Sequence, residues 1–138
     1  MQAINYLLDT NAWFRLFDRP EQIAPSTISL LRTENVLALS SISLIEVAQK
    51  NASKRGPLFT LPIDRWFLAA LPSQRIKIFD ITPEIAAKTY DLGPDFHGDP
   101  ADRIIAATAI IHNLVLVTSD ELLLSNPLIQ TLATNSSG

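Results

Sequence analysis

The stretch "GDPADRIIAATAIIHNLVLVTSD", residues 98–120, decides the fold. Asp99 followed by Pro100 is an N-cap with proline at the first helical position. Small and branched apolar residues then recur at helical spacing to His112. After the helix, "LVLVT" (114–118) is apolar without polar alternation, the pattern of a strand buried on both faces. The same alternation runs through the chain. "INYLL" (4–8), "VLAL" (36–39) and "IKIF" (76–79) are further short buried strands, and helical patterns fall near 11–18, 25–34, 43–54, 64–71, 83–91, 101–112 and 121–125. Alternating elements of this kind predict a three-layer α/β/α sandwich around a short parallel sheet. "KRGP" (54–57) and "LGPDFHGDP" (92–100) are the clearest loops. One domain is expected over 1–134, with "NSSG" (135–138) as a flexible tail.

Composition narrows the classes of function. With 138 residues, 47% hydrophobic and 18% charged, the chain can bury one sizeable core. It has no cysteine, which excludes disulfides, thiolate metal sites and cysteine nucleophiles and fits a reducing cytoplasm. The N-terminus lacks both a basic segment and an uninterrupted apolar segment, and no run of about 18 apolar residues follows, so neither secretion nor membrane insertion is expected.

Five acids need an explanation, and each has a local one. Asp9 ends a strand and can cap the next helix. Glu46, three residues after Ser43, completes a capping box, and Lys50 is placed to pair with it. Asp99 is an N-cap, Asp102 complements the helix dipole, and Asp120 can cap "ELLLS". Topology gives a shared reason. In a parallel sheet with crossover helices, helix starts and strand ends lie on one edge, and ligands bind in the crevice outside the carboxyl ends of the strands. All five acids belong to that edge. Asp102 also aligns with Ile105, Ala106 and Ala109 at offsets of three, four and seven, which points it inward. Two carboxylates about 5 Å apart repel by about 3 kcal/mol at an effective dielectric near 20. Protonation or a bound cation relieves this, and all-oxygen donors select a hard divalent ion such as magnesium or manganese. His97, in a loop, and His112, at a helix end, are not assigned as ligands.

Four segments together, "LLDTNAW" (7–13), "SSISLIEVAQK" (40–50), "DPADRIIAATA" (99–109) and "LVTSD" (116–120), resemble PIN-domain nucleases, and more narrowly the VapC-type toxins of bacterial toxin-antitoxin pairs. The resemblance spans nearly the whole chain and is weakest from about 52 to 96. It implies a metal-dependent endoribonuclease with one or two magnesium or manganese ions, RNA as substrate, a cognate antitoxin protein as partner, and a homodimer. By position, Asp9, Glu46, Asp102 and Asp120 match the family's four acids, as metal-holding and catalytic residues. Asn11 matches a polar residue that supports the site. Asp99, a recurring position in the subgroup with "DP-x-DR", and Thr118 are further supporting residues.

With the five acids set aside, nine acids remain against eleven bases, so the net charge of −3 does not exclude RNA. Arg15, Lys50 and Arg103 are the expected phosphate contacts, with Arg19, Lys54 and Arg55 further candidates near the same edge. Trp13 and Trp66 can stack on bases or fill the core. Trp13 with Phe14, Leu16 and Phe17 makes the first helix apolar enough for self-association or an antitoxin groove. Other readings are weaker. A receiver-like phosphoacceptor domain wants a second acid beside Asp9 and a lysine after a late strand, and an aspartyl phosphatase wants an aspartate where Asn11 stands. A catalytically silent binding module of the same fold would be favoured by loss of an acid, and none is lost. A housekeeping nuclease of the family is the remaining alternative to a toxin.

Overall fold

A computed structural model of the chain describes residues 3–53, 59, 61–96 and 98–135. Five parallel strands, β1 (Tyr6–Leu8), β2 (Leu37–Ser40), β3 (Ile76–Phe79), β4 (Val115–Thr118) and β5 (Thr131–Ala133), form one sheet in the order β3-β2-β1-β4-β5. The helices are α1 (Thr10–Asp18), α2 (Pro25–Arg32), α3 (Ile42–Ala52), α4 (Ile63–Ser73), α5 (Pro83–Lys88), α6 (Pro100–Ile111) and α7 (Glu121–Leu124), with a 3-10 turn at Pro20–Gln22.

The expected α/β sandwich is present, and the central strands show why. Successive side chains point to opposite faces of a sheet. Leu8, Leu39 and Val117 accordingly enter one core with α1, α3 and α4, while their neighbours Leu7, Ala38 and Leu116 enter another with Ile105, Ala106 and Ala109 of α6. A strand buried on both faces needs apolar residues at every position, which is how "YLL", "LAL" and "VLV" read.

The helix of residues 98–120 passes into its strand within three residues. Asn113, at φ 55°, supplies the left-handed residue after α6. Its N–H reaches the Ile110 carbonyl at 3.2 Å and the Leu114 N–H reaches Ala109 at 2.8 Å, which closes the helix end. His112 then packs edge-on against Phe79, ring centroids 4.5 Å apart, as a packing residue.

Three expectations change. β3 lies at the sheet edge, and Lys77 within it is exposed, so it is not the fully buried strand its apolar pattern suggests. β5 was not anticipated. It is a three-residue edge strand whose side chains are all half-buried, a pattern with little periodicity to detect. It is tied in through Thr134 N–H to the Thr118 carbonyl at 3.0 Å and the Thr27 hydroxyl to the Ala133 carbonyl at 3.1 Å. The aromatic face of α1 is covered. Trp13 and Trp66 are completely buried, 5.0 Å apart edge to face, with Phe14, Phe17, Phe59 and Phe67 around Trp66. These rings are core, not base-stacking platforms, and α4 occupies the face that α1 otherwise offers to a partner. The loop at 54–57, with Lys54 and Arg55, His97, and the last three residues of the expected tail lie outside the described residues. Among the described residues no helix is long and apolar enough to cross a membrane.

Candidate active site

The carboxyl ends of β1, β2 and β4 and the starts of α1, α3, α6 and α7 share one edge, where a cleft of about 590 Å³ opens. Asp9, Glu46, Asp99, Asp102 and Asp120 all line it, with Asn11 and Lys50. Sequence reasoning missed Thr10, Gln49, Ser53 and Ser119, which complete the wall. A signal for two of them was present: Glu46, Gln49, Lys50 and Ser53 recur at offsets of three, four and seven along α3, one helical face.

Most of these acids do two things at once. Asp9 follows β1 and caps α1, accepting from the Ala12 N–H at 2.7 Å, and it is buried. Thr118, fully buried at the end of β4, hydrogen-bonds to Asp9 and accepts from the Asp120 N–H at 3.0 Å, so one hydroxyl joins two strand ends. Asp99 caps α6 through the Ala101 N–H at 2.9 Å, and Asp120 caps α7 through Leu122 at 2.8 Å. The capping role of Asp120 therefore stands beside its place in the cleft.

The capping box at "SLIE" does not form. α3 starts at Ile42, one residue earlier than expected, so Ser43 sits inside the first turn and Glu46 one turn further on. The Ser43 hydroxyl is instead buried 2.8 Å from that of Thr10, and Thr10 also donates to the Glu46 carboxylate. This chain fastens α3 to the start of α1 and fixes which way Glu46 faces.

Burial, first of all, pushes the Asp9 carboxyl above its ordinary value. The Asp102 charge adds to this, against the Thr118 and Ala12 hydrogen bonds and the Arg15 charge. Glu46 is raised too, by burial and then by Asp102, Asp99 and Asp9, against the Thr10 hydrogen bond. The acids feel one another, but among the described residues no three carboxylate or imidazole groups converge as the ligand set of one ion. The tight cluster expected from the sequence is thus an open cleft, because Asp9, Glu46, Asp99 and Asp120 each commit an oxygen to an N–H or hydroxyl. The donor chemistry still fits a hard cation. Five carboxylates and one lysine line the cleft, the ligating atoms its lining residues offer are carboxylate, amide and hydroxyl oxygens with no imidazole or thiolate among them, and an ion of the magnesium type keeps several waters and needs few direct carboxylates.

These shifts set a pH dependence. A carboxyl whose folded value is raised contributes stability that is complete below the unfolded value and is lost as pH rises through the folded one. In chelator, the melting temperature should fall from about pH 4 upward through the range set by Asp9 and Glu46. Manganese should cancel the fall near neutrality, and Asp9→Asn should flatten it. A melting temperature in chelator that rises monotonically from pH 4 to 7 and is indifferent to manganese would contradict this.

The three expected phosphate contacts separate. Lys50 lines the cleft. Arg15 lies behind it, donating to the Ser119 hydroxyl at 3.2 Å and lowering the cost of charge on Asp9. Arg103 is not among the residues lining the cleft: its guanidinium donates to the Thr89 carbonyl at 2.9 Å and the Phe96 carbonyl at 3.0 Å.

Comparison with known proteins identifies the family and the fold. The PIN domain profile matches residues 6–126. Ribonuclease VapC22 of Mycobacterium tuberculosis is 32% identical over 120 residues, covering 87% of this chain and 90% of that protein. A chain of the toxin-antitoxin complex from Klebsiella pneumoniae superposes with a TM-score of 0.65 at 26% identity, over 91% of this chain and 95% of that one. VapBC2 from Rickettsia felis, bound to a DNA fragment from their promoter, gives a TM-score of 0.67 over 94% of this chain and 98% of that one, and at 22% identity it speaks for the fold alone. With the profile spanning most of the chain and a VapC ribonuclease matched nearly end to end, the chain belongs to the PIN-domain family and is a relative of the VapC proteins within it.

Proposed function

We propose that the protein is a magnesium- or manganese-dependent endoribonuclease that acts as the toxin of a toxin-antitoxin pair in the cytoplasm. The observation that carries this reading is the convergence of Asp9, Glu46, Asp99, Asp102 and Asp120 on one cleft at the carboxyl edge of a PIN-family sheet. Asp9, Glu46 and Asp102 are the residues that would hold one or two divalent ions, directly or through water, with Asp120 at the outer wall. When bound, such an ion stabilises charge on the phosphoryl and leaving oxygens and lowers the pKa of water.

The chain's own groups do the rest. Asp120 has one oxygen on the α7 cap, and its other oxygen can accept from the attacking water and orient it. The Thr10 hydroxyl holds Glu46 in place, and Thr118 does the same for Asp9. Lys50 is the cation positioned to draw an RNA phosphate into an otherwise anionic cleft. Asn11 and Ser119 add neutral hydrogen-bonding groups along the wall.

The toxin role and a cognate antitoxin rest on likeness to ribonuclease VapC22 and to a chain of the Klebsiella pneumoniae toxin-antitoxin complex, and assembly as a homodimer on the family resemblance alone. A small DNA-binding protein encoded immediately upstream would support the pairing, whereas its absence would favour a housekeeping nuclease. The direct test is cleavage of single-stranded and folded RNA by the purified protein. Cleavage should appear with manganese or magnesium and vanish with EDTA. Cleavage that persists in EDTA would overturn metal dependence, and no cleavage of any RNA with either ion would favour a silent binding module.

A further inference from the structure

Arg103 is a cation that this reading of the cleft leaves without a task, and its surroundings are unusually specific. One guanidinium nitrogen donates to the Thr89 carbonyl and the other to the Phe96 carbonyl. The guanidinium carbon lies 4.8 Å from the centroid of the Tyr90 ring and 5.3 Å from that of Phe96. Thr89 is the C-cap of α5, and Phe96 is a buried residue of the segment between α5 and α6. The planar fork of arginine spans two acceptors at once, and its weak hydration suits it to lie against aromatic faces. Tyr90 is 80% exposed, so its ring acts as a cover over the guanidinium, not as part of the core.

Position gives the clamp its consequence. Arg103 stands on the first turn of α6, its own N–H bonded to the Asp99 carbonyl at 3.1 Å. The segment it grips, 89–96, is the one that delivers the chain to Asp99. Two cleft acids, Asp99 and Asp102, stand on that turn; Asp102 bears electrostatically on both Asp9 and Glu46, and Asp99 on Glu46. We infer that Arg103 is a positioning residue: by tying the Thr89 and Phe96 carbonyls to the first turn of α6, it sets the placement of Asp99 and Asp102 in the cleft. The inference rests on the proposed nuclease reading only for its kinetic consequence; the placement itself is independent of it.

The test is Arg103→Lys, which keeps the charge but replaces the fork with a point donor. Amide hydrogen exchange at Ala101, the N–H that Asp99 caps, should accelerate about 10-fold or more while the melting curve stays cooperative. The manganese concentration for half-maximal cleavage should rise about 10- to 100-fold, the cost typical of losing a residue that orients metal-holding groups, with the KM for RNA within about threefold of wild type. Unchanged exchange at Ala101 would overturn the inference. A raised and steeply salt-dependent RNA KM with unchanged exchange would also overturn it, making Arg103 a phosphate contact. If Arg103→Lys does not fold, Tyr90→Leu removes only the cover: faster exchange at Ala101 supports the clamp, and unchanged exchange sinks it. A wild-type protein that cleaves no RNA counts against the nuclease reading alone, since the exchange measurement still decides the role of Arg103.

Discussion

Asp9→Asn should lower RNA cleavage by about 10²- to 10³-fold, the size of loss that follows removal of one preorganised oxyanion-hole donor. Asparagine is as good an N-cap as aspartate, so the bond from Ala12 persists and α1 should start where it does now. What disappears is the carboxylate of Asp9, the only one of the five cleft acids that is buried and attached directly to a strand end. Loss of that charge relieves the desolvation cost that raises the Asp9 carboxyl. The variant should therefore melt no lower than wild type in EDTA while being nearly inactive in manganese. Reduced activity with a lowered melting temperature would instead be a folding defect. Full activity in Asp9→Asn would remove the carboxylate mechanism altogether, because no other acid occupies the end of β1.

The sequence made the sheet legible where burial is two-sided. "YLL", "LAL" and "VLV" have no polar alternation because both faces of each strand meet a core, as the crossover helices of a parallel sheet dictate. Edge strands escape that logic, which is why β5 was missed and β3 was over-read. The site was legible for a related reason: parallel topology sends every strand end and helix start to one edge, so five acids scattered between positions 9 and 120 could be brought together on paper. Their spacing could not. It depends on what each second oxygen bonds to, and the Thr10 hydroxyl that contacts both Ser43 and Glu46 comes from more than thirty positions away, with no periodic signature. Arg103 lies off the cleft lining for the complementary reason. Its neighbour Asp102 points inward, and on a helix adjacent residues do not share a face, so proximity in sequence to the site was a poor guide.

The largest effect on stability is expected at Trp66. Trp66→Ala should cost about 3–5 kcal/mol, lowering the melting temperature by roughly 10–20 °C for a domain of this size. Trp66 has no exposed surface and is ringed by Trp13, Phe14, Phe17, Phe59 and Phe67, with centroids 5.0 to 6.1 Å away. Its indole N–H also donates to Asp18 at the end of α1, 3.3 Å away. Five aromatic walls around one side chain cannot collapse far into the space it leaves, so the cavity penalty should lie toward the upper part of that range. Because the cluster is what holds α1 to α4, and α1 carries Asp9 at its start, the variant also separates packing from chemistry. Well below its melting temperature it should cleave RNA at close to the wild-type rate, with activity lost only as the unfolded fraction grows. Denaturant unfolding that shows a loss under about 1 kcal/mol would mean that Trp66 is not the keystone of this core, and a low cleavage rate in fully folded Trp66→Ala would mean that the rings govern the position of Asp9 directly.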